Sequence, residues 1–317
     1  MNVVALSGGV GGAKLAHGLY RALEPDTLTL IVNTGDDFDH YGLRICPDLD
    51  TALYTLAGLA NEATGWGVAG ETWATLDMLR GYGVDTWFQV GDRDFAMHVL
   101  RTARLREGAT LTEIFSTIVS ALGVHAAILP MADEPVPTRL RTSAGELAFQ
   151  EYFVHRRHGD DVFGVEYDGA EDAHPTPRAR EALAAAEAII LCPSNPFVSV
   201  GPILAVAGMR DLLHAARAPR VAVSPIVGGQ ALKGPADRML ATMGHEVSAY
   251  GVAAWYGALL DGMVIDRLDA EQAPRIESLG LRTLVTNTVM SSVEDRLRLA
   301  RDVLQFAASV RASGSSA

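Results

Sequence analysis

The architecture of this chain follows from one N-terminal segment, Asn2-Val3-Val4-Ala5-Leu6-Ser7-Gly8-Gly9-Val10-Gly11-Gly12-Ala13-Lys14. Its apolar, β-branched start runs into a cluster of glycines, which is typical of a buried parallel strand followed by a tight turn. Helical apolar spacing follows at Leu15, Leu19 and Leu23, and residues 28–32 form a second apolar run. Residues 1–33 therefore predict a βαβ unit with the right-handed crossover that parallel strands adopt.

The alternation of strands and helices continues along the chain. Further strands are predicted at residues 126–129, 187–192, 220–224, 263–265 and 283–286. Helices are predicted at residues 50–60, 72–81, 92–105, 111–122, 178–186, 202–216, 234–243 and 292–308. We expect a single α/β domain over 1–317 with a doubly wound, mainly parallel sheet. Its Rossmann-like core would comprise residues 1–130 and 175–317, and turn-rich residues 131–174 would form a smaller mixed α/β insertion.

Composition excludes several classes of protein. The formal net charge is −12 and no run of Lys or Arg is present, so nucleic-acid binding is not expected. The two cysteines, Cys46 and Cys192, form neither a disulfide framework nor a zinc motif, which favours a reducing cytoplasm. Residues 1–6 lack a basic leader and no run of about 18 apolar residues occurs, so we expect no signal peptide and no membrane span. The small, polar residues 312–317 are expected to be frayed.

The glycine cluster suggests a site for a phosphate group. Glycines let the backbone approach an anion closely, and a helix beginning near Lys14 would direct its N–H groups and dipole at that anion. The segment fits neither the GxGxxG fingerprint nor the GxxxxGK loop, so a plain strand-to-helix turn is the alternative. The predicted phosphate-binding residues are Gly8, Gly9, Gly11, Gly12 and Lys14.

Four aspartates follow the second predicted strand. Asp36 and Asp37 lie in Asn33-Thr34-Gly35-Asp36-Asp37, and Asp48 and Asp50 lie in Pro47-Asp48-Leu49-Asp50-Thr51. Carboxylates of this kind, together with substrate phosphates, are typical ligands of Mg²⁺, and one of them could act as a general base. Asp48 could instead cap the helix that follows it. All four are candidate metal ligands, and Asp48 and Asp50 are also candidate catalytic residues.

Arg93 is a further candidate. It lies in Gly91-Asp92-Arg93-Asp94, in the first turn of a helix that Asp92 could cap. A cation opposes the helix dipole there, so an anionic ligand or a nearby carboxylate is expected to compensate. An exposed arginine paired with Asp94 is the alternative.

Two proline-bounded loops follow predicted strands. Ser194 and Asn195 in Pro193-Ser194-Asn195-Pro196, and Ser224 before Pro225, offer uncharged donors and acceptors that suit a nucleotide's base or ribose. Either loop could equally be an ordinary turn. Together with the glycine cluster, both loops should meet at the carboxyl edge of the sheet, where ligands bind in this class of fold. The histidines, including His98, show no metal-ligand spacing.

Taken together and in this order, the motifs resemble the 2-phospho-L-lactate transferase family of coenzyme F-420 biosynthesis, some of whose members are called phosphoenolpyruvate transferases. The resemblance covers essentially the whole chain. The matching segments are the glycine cluster, the two aspartate segments, Gly91-Asp92-Arg93-Asp94, Leu129-Pro130-Met131 with Asp133-Glu134, Phe149-Gln150-Glu151, Pro193-Ser194-Asn195-Pro196 with Ser199-Val200-Gly201-Pro202, and Ser224-Pro225-Ile226.

The resemblance implies a Mg²⁺-dependent transferase. It would move 2-phospho-L-lactate, phosphoenolpyruvate or 3-phosphoglycerate from a guanosine diphosphate-linked donor to the ribityl hydroxyl of 7,8-didemethyl-8-hydroxy-5-deazariboflavin, releasing GMP. It also implies that Asp50 and Arg93 contact this deazaflavin precursor. The glycine cluster and the loop of Ser194 and Asn195 would hold the donor. The resemblance further implies a cytoplasmic homodimer.

Two other interpretations are open. Nucleotide-sugar-binding regulators of the gluconeogenesis-factor type have a similar sheet and glycine loop. The segments around Asp48 and Arg93 favour the transferase, and deazaflavin binding would discriminate between the two. A nicotinamide dehydrogenase is less favoured because the GxGxxG fingerprint fails.

Overall fold

The computed structural model describes residues 1–314. Its strands are β1 (Val3–Ser7), β2 (Leu28–Val32), β3 (Phe38–His40), β4 (Leu43–Ile45), β5 (Ala127–Pro130), β6 (Thr138–Thr142), β7 (Gly145–Ala148), β8 (Val162–Tyr167), β9 (Ala188–Leu191), β10 (Arg220–Val223), β11 (Ile226–Val227), β12 (Gln230–Ala231), β13 (Gly262–Asp266) and β14 (Arg282–Thr286). Its α-helices are α1 (Gly9–Ala22), α2 (Pro47–Leu56), α3 (Ala74–Gly81), α4 (Asp92–Arg106), α5 (Leu111–Ala121), α6 (Pro177–Ala185), α7 (Gly201–Ala205), α8 (Met209–Ala215), α9 (Ala236–Thr242), α10 (Ala249–Tyr256), α11 (Ala273–Glu277) and α12 (Val293–Gly314).

Seven parallel strands form the central sheet, in the order β14-β13-β10-β9-β1-β2-β5. This confirms the predicted doubly wound, mainly parallel α/β fold. The direction of winding changes at β1, because β2 lies on one side of it and β9 on the other. Ligands bind at such a point, in the crevice beyond the carboxyl ends of the strands.

Both faces of the sheet are covered. Val4 and Leu6 of β1 pack into one core, whereas Val3 and Ala5 pack into the other, because successive side chains of a strand point to opposite faces. Residues of α6 to α11 contribute to the first core, and residues of α1, α2, α5 and α12 to the second. Burial on both faces explains why these strands are continuous apolar runs.

The single helix predicted over 202–216 is wrong. The chain instead forms a π-helical turn at Pro196–Val200 that continues into α7, followed by α8. The segment Pro196–Ala205 and α8 are bent by 84° relative to each other, and Gly208 between them is in the left-handed region (φ 78°). Within residues 1–314 no single helix is both long and apolar enough to cross a membrane, and this bent pair alone passes by length and composition.

Three features lie outside the central sheet. The predicted insertion holds an antiparallel sheet, β7-β6-β8, and a π-helical turn at Glu151–His155, while its status as a sub-region stays a prediction. The hairpin β3–β4, which was not predicted, turns through Tyr41 and Gly42, both with positive φ, and returns the chain towards the end of β2. Helix α12 continues to Gly314, past its predicted end, and residues 315–317 of the predicted frayed tail lie outside the described part of the chain.

Candidate functional site

A cavity of about 660 Å³ lies at the carboxyl edge of the central strands. The loops after β1, β9 and β10 all line it, which confirms the prediction that these three loops meet. Most of the predicted site residues are in its wall, namely Gly8, Gly9, Gly11, Lys14, Asp36, Asp48, Asp50, Ser194, Asn195 and Ser224. Three of the predicted residues are not in this wall: Gly12, Asp37 and Arg93.

The glycine cluster is part of a helix. Helix α1 begins at Gly9, so the expected start near Lys14 is wrong and Gly11 and Gly12 lie in the first turn. A Cβ atom at Gly11 would lie 2.5 Å from the carbonyl oxygen of Pro193, and one at Gly12 would lie 2.6 Å from Oγ of Ser7. These glycines therefore allow α1 to start in direct contact with the loop after β9. The residues at the start of α1 line the cavity, and the N–H of Gly9 already bonds to a carboxylate, as the anion preference of a helix start predicts.

The polar residues of the proline-bounded loops mostly hold the loops in shape. Oγ of Ser194 donates to the carbonyl of Gly8 at 2.8 Å and accepts from the Gly8 N–H at 3.3 Å, joining the loops after β1 and β9. Oδ1 of Asn195 accepts from two N–H groups of the following turn, and Oγ of Ser224 both donates to and accepts from the backbone of Ile226. Their predicted contacts with a nucleotide stay predictions.

Asp36 and Asp48 are brought together by one amide. Nδ2 of Asn33, which is fully buried, donates to Oδ1 of Asp36 at 2.7 Å and to Oδ2 of Asp48 at 2.9 Å. Oδ1 of Asp48 accepts from the N–H of Gly9 at 2.8 Å. Asp48 was a candidate cap for the helix that follows it. This is wrong, because α2 already begins at Pro47 and the Asp48 carboxylate bonds to the start of α1. We call Asp36 and Asp48 the Asn33 aspartate pair.

The Asn33 aspartate pair has no cation beside it within the described residues: no Lys, Arg or His comes within 4.0 Å of either carboxylate. Burial raises the pKa of Asp36 well above its ordinary value, and the charge of Asp48 raises it further. Burial also raises the pKa of Asp48 to about 6, although the hydrogen bond from Asn33 lowers it. Two buried carboxylates that share one amide suit a hard divalent cation, since Mg²⁺ prefers oxygen ligands.

Asp37 is buried and does not line the cavity. Both of its carboxylate oxygens are buried without a hydrogen-bond partner, and the nearest cation is the Arg44 guanidinium, 3.9 Å from Oδ2. Burial raises the pKa of Asp37 to about 7, while the charge of Arg44 lowers it. Its role as a metal ligand stays a prediction, and the carboxylate next to Asp48 is that of Asp36.

Asp50 has a quite different environment. Arg101 of α4, which is fully buried, donates to both carboxylate oxygens of Asp50, from Nη2 at 2.8 Å to each and from Nη1 to Oδ2 at 3.1 Å. Burial raises the pKa of Asp50 to about 6, and the charge of Arg101 opposes this rise.

His98 and Asp94 extend this arrangement towards Tyr54. Nδ1 of His98 lies 3.8 Å from Oδ2 of Asp50, and Nε2 lies 3.4 Å from Oδ2 of Asp94. The hydroxyl of Tyr54 donates to Oδ1 of Asp94 at 2.7 Å. We call Asp50, Tyr54, Asp94, His98 and Arg101 the Arg101 network.

The Arg101 network could in principle hold a metal, because Asp50, Asp94 and His98 each place one ligand atom within 4.8 Å of the others. A divalent ion bound there would lie beside a buried guanidinium that already bonds to both oxygens of Asp50, and the repulsion would disfavour it. Sequence reasoning missed Arg101 and discounted His98. The sequence contains a pattern that could have indicated them, because Asp94, His98 and Arg101 have the i, i+4, i+7 spacing of one helix face.

Arg93 is exposed at the start of α4. The Arg93 guanidinium donates to the carbonyl of Ala69 at 2.8 Å. The backbone N–H of Arg93 donates to the carboxylate of Glu71. Glu71 thus places a carboxylate at the start of α4, where it bonds to backbone N–H groups and favours the helix dipole. Asp92 does not cap α4, as had been considered, because its carboxylate accepts from the N–H groups of residues 74 and 75 at the start of α3. A substrate contact of Arg93 stays a prediction.

Aromatic side chains form another part of the cavity wall that the sequence did not reveal. These residues are Tyr54, Trp66, Phe88, Phe149 and Phe153. The rings of Phe149 and Phe153 are stacked, with centroids 5.3 Å apart and planes 13° from parallel. The ring of Phe88 packs edge-on against Phe38, at 4.8 Å. Such a wall suits a flat aromatic ligand.

The chain is similar to known proteins along nearly its whole length. Residues 3–289 match the family model described as 2-phospho-L-lactate transferase CofD. A phosphoenolpyruvate transferase of Kitasatospora aureofaciens is 42% identical, over 98% of this chain and 99% of that protein. A 2-phospho-L-lactate transferase of Methanosarcina mazei is 38% identical, over 96% of this chain and 99% of that protein.

A solved structure of a UPF0052 family protein from Bacillus halodurans superposes with a TM-score of 0.63, over 96% of this chain and 98% of that one. Its sequence is 16% identical, so this likeness concerns the fold alone. The family model and the relatives cover nearly all of the chain, including every segment that contributes to the Asn33 aspartate pair and the Arg101 network. The chain therefore belongs to the 2-phospho-L-lactate transferase family.

Proposed function

We propose that this chain transfers a phospho-lactyl-type group from a guanosine diphosphate-linked donor to the ribityl hydroxyl of 7,8-didemethyl-8-hydroxy-5-deazariboflavin. The group is 2-phospho-L-lactate, phosphoenolpyruvate or 3-phosphoglycerate. The new bond joins the ribityl oxygen to phosphorus, the bond from phosphorus to the GMP oxygen breaks, and GMP leaves. The observation that carries the proposal is the Asn33 aspartate pair, which lies beside the glycine-rich start of α1 in one large cavity.

The donor half of the cavity is assigned to the glycine-rich end of α1 and the loops after β9 and β10. The free N–H groups and the dipole of a helix start favour a diphosphate. Lys14, in the same wall, donates to the carbonyl of Met290 at 3.1 Å and supplies a nearby positive charge. This cation stands out in a chain of net charge −12, where anion binding has to be achieved locally.

Asp36 and Asp48 would hold Mg²⁺, because they pair buried hard oxygen ligands with a deficit of positive charge. When bound, the ion would neutralise the charge that develops on the phosphoryl oxygens. Asn33 and the Gly9 N–H fix the directions of the two carboxylates before substrate arrives. The proton of the attacking hydroxyl would pass to a carboxylate that lines the cavity, for which Asp48 and Asp50 are the candidates.

The acceptor half is assigned to the aromatic wall and the Arg101 network. The tricyclic ring of a deazaflavin is flat and largely apolar, so it would stack well on rings such as those of Phe88 and Phe153. Rate enhancement would then come from in-line positioning of hydroxyl and phosphorus together with charge neutralisation.

The test is mass spectrometry of the product formed from the deazaflavin with each guanosine-linked donor in turn. We expect one acid-bearing product, together with GMP, that depends on added Mg²⁺. The variant Asp48→Asn should form product more slowly, by about 10³-fold or more. Asp39→Asn is the control, because Asp39 is a nearby aspartate of β3 whose side chain is 75% exposed.

The alternative function is that of a nucleotide-sugar-binding regulator, and the same assays can support it. If no donor yields product, and a nucleotide sugar binds whereas the deazaflavin does not, the transferase proposal is wrong. Assembly as a cytoplasmic homodimer belongs to the same proposal, and sedimentation of the purified chain tests the dimer.

A further inference from the structure

Arg101 stands out among the charged residues of the chain. It is fully buried in α4, behind Asp50 as seen from the cavity, and its guanidinium also lies 5.6 Å from the ring centre of Phe115. Burying a guanidinium without a partner is costly, so such a residue persists where its charge is matched. Here the match is the single carboxylate of Asp50.

The hydrogen bonds leave little of the Asp50 carboxylate free. A carboxylate offers about four acceptor positions, two on each oxygen. Arg101 fills two on Oδ2 and one on Oδ1. A backbone hydrogen bond from Cys46 also stabilises the charged carboxylate, so the acceptor capacity that is left is confined to Oδ1, at a residue that lines the cavity.

From this geometry we infer that Arg101 is a positioning residue, which makes Asp50 a fixed, one-directional acceptor for an O–H or N–H group of the deazaflavin. The inference rests on the proposed function, and it removes Asp50 from the candidate metal ligands. A guanidinium that bonds to both oxygens repels a cation at the same carboxylate. The planar fork of arginine is needed for this, because lysine offers a point charge and cannot hold both oxygens.

The neighbouring contacts support a rigid arrangement. Glu71 accepts from the N–H groups of Arg93 and Asp94, which fixes the first turn of α4. Asp94 in turn accepts from Tyr54 of α2, one turn beyond Asp50. Helices α2 and α4 are thus joined at Asp50 and again one turn further along α2, which limits the directions that the Asp50 carboxylate can take.

The experiment is steady-state kinetics with acceptor, donor and Mg²⁺ varied separately, for Arg101→Met, Arg101→Lys and the double variant Arg101→Met/Asp50→Asn. We expect Arg101→Met to raise the KM for the acceptor by about tenfold or more, with the KM for the donor and the Mg²⁺ half-saturation changed less than threefold. Arg101→Lys should recover part of the acceptor KM. The double variant, which removes both buried charges, should fold and bind acceptor no more weakly than Asp50→Asn alone.

The matched control is Arg220→Met. Arg220 forms a similar two-pronged pair with Asp261, at 2.8 and 2.9 Å, but neither residue lines the cavity. The Arg220→Met variant should have a lower melting temperature. Its acceptor KM, donor KM and Mg²⁺ half-saturation should be unchanged. An unchanged acceptor KM in Arg101→Met, or a raised Mg²⁺ half-saturation, would overturn the inference. A wild-type chain without any product would instead overturn the proposed function, and acceptor binding at equilibrium would still test Arg101.

Discussion

Asp48 and Asp50 are two residues apart in α2, yet their surroundings differ in almost every respect. Positions i and i+2 of an α-helix point about 200° apart, so the two side chains meet different elements. Asp48 meets Asn33 and the start of α1, where no cation lies within 4.0 Å among the described residues. Asp50 meets the buried guanidinium of Arg101. Both are buried carboxylates that line the same cavity.

This contrast indicates how one acidic segment can serve two substrates. Among the described residues, no cation lies within 4.0 Å of the Asn33 aspartate pair, so the pair suits a cation and the phosphates that the cation accompanies. Asp50 is already paired with the Arg101 guanidinium, so it suits an uncharged donor group. Because both residues are aspartates, the groups that contact each carboxylate determine which kind of ligand it suits.

The largest effect is expected at the Asn33 aspartate pair. Asp36→Asn or Asp48→Asn should lower turnover by about 10³-fold or more, about 4 kcal/mol, because the charge that faces the transferred group is lost. Thermal stabilisation by Mg²⁺ should disappear in both variants, whereas Asp50→Asn should retain it. Calorimetry with and without Mg²⁺ checks this, and loss of the Mg²⁺ effect in Asp50→Asn would erase the contrast between the two sites.

Asp50→Ala should chiefly destabilise the fold. It leaves the Arg101 guanidinium buried without a partner, and breaking such a pair costs about 3 kcal/mol or more. Urea unfolding of Asp50→Ala and Asp48→Ala provides the comparison, since Asp48 has no such cation. Equal destabilisation of the two variants would contradict the difference described above. Asp50→Asn is the safer variant for testing catalysis, because an amide can still accept from Arg101.

The stability of the Mg²⁺-free protein should depend on pH through Asp48. Its pKa is about 6 in the folded chain and near 3.8 when unfolded, so the folded state holds more protons between these values. The contribution of Asp48 to the free energy of unfolding therefore falls by about 2 kcal/mol as pH rises from 4 to 7, and the other buried aspartates add to this fall. In Asp48→Asn, the free energy of unfolding should decrease less with pH, because this contribution is missing. In Asp39→Asn, it should decrease as in the wild-type protein. Urea titrations at several pH values measure the difference, and identical slopes for all three proteins would argue against it.

The smallest effect is expected from Tyr54→Phe. The change removes one hydrogen bond to Asp94 at the edge of the Arg101 network and should cost about 1–2 kcal/mol of stability. The acceptor KM should rise by less than about threefold, because Arg101 still directs Asp50. A larger rise would mean that the tyrosine hydroxyl itself contacts substrate. Parallel unfolding and kinetic measurements separate the two.

Much of this site was accessible from sequence because its elements are local. The glycine cluster, the aspartate segments and the loops after β9 and β10 each follow a strand, and parallel strands bring such loops to one edge. The helix start at Gly9 was missed because helical spacing in the apolar residues begins only at Leu15. The contact of Gly11 with Pro193, which explains the glycine, joins residues distant in sequence.

The partners of the aspartates were harder to predict. In the sequence, Asn33 is only the first residue of the segment that holds Asp36 and Asp37. Nothing local indicates that it bonds to Asp48, which the hairpin β3–β4 brings back to it. Arg101 is seven residues after Asp94 on a helix facing α2, and a buried guanidinium is rare enough that an exposed one is the natural expectation.

The Asn33 amide has a further consequence for experiment. It has two N–H protons but three acceptors within reach, Asp36, Asp48 and the carbonyl of Val198 at 3.2 Å. Being fully buried, these protons are shielded from exchange with water. Any change of charge on either carboxylate redistributes them, which alters the chemical shifts of the side-chain ¹⁵N–¹H signals. Asn33 is thus an intrinsic NMR reporter of what occupies the site, placed beside the reacting groups without any label that could disturb them.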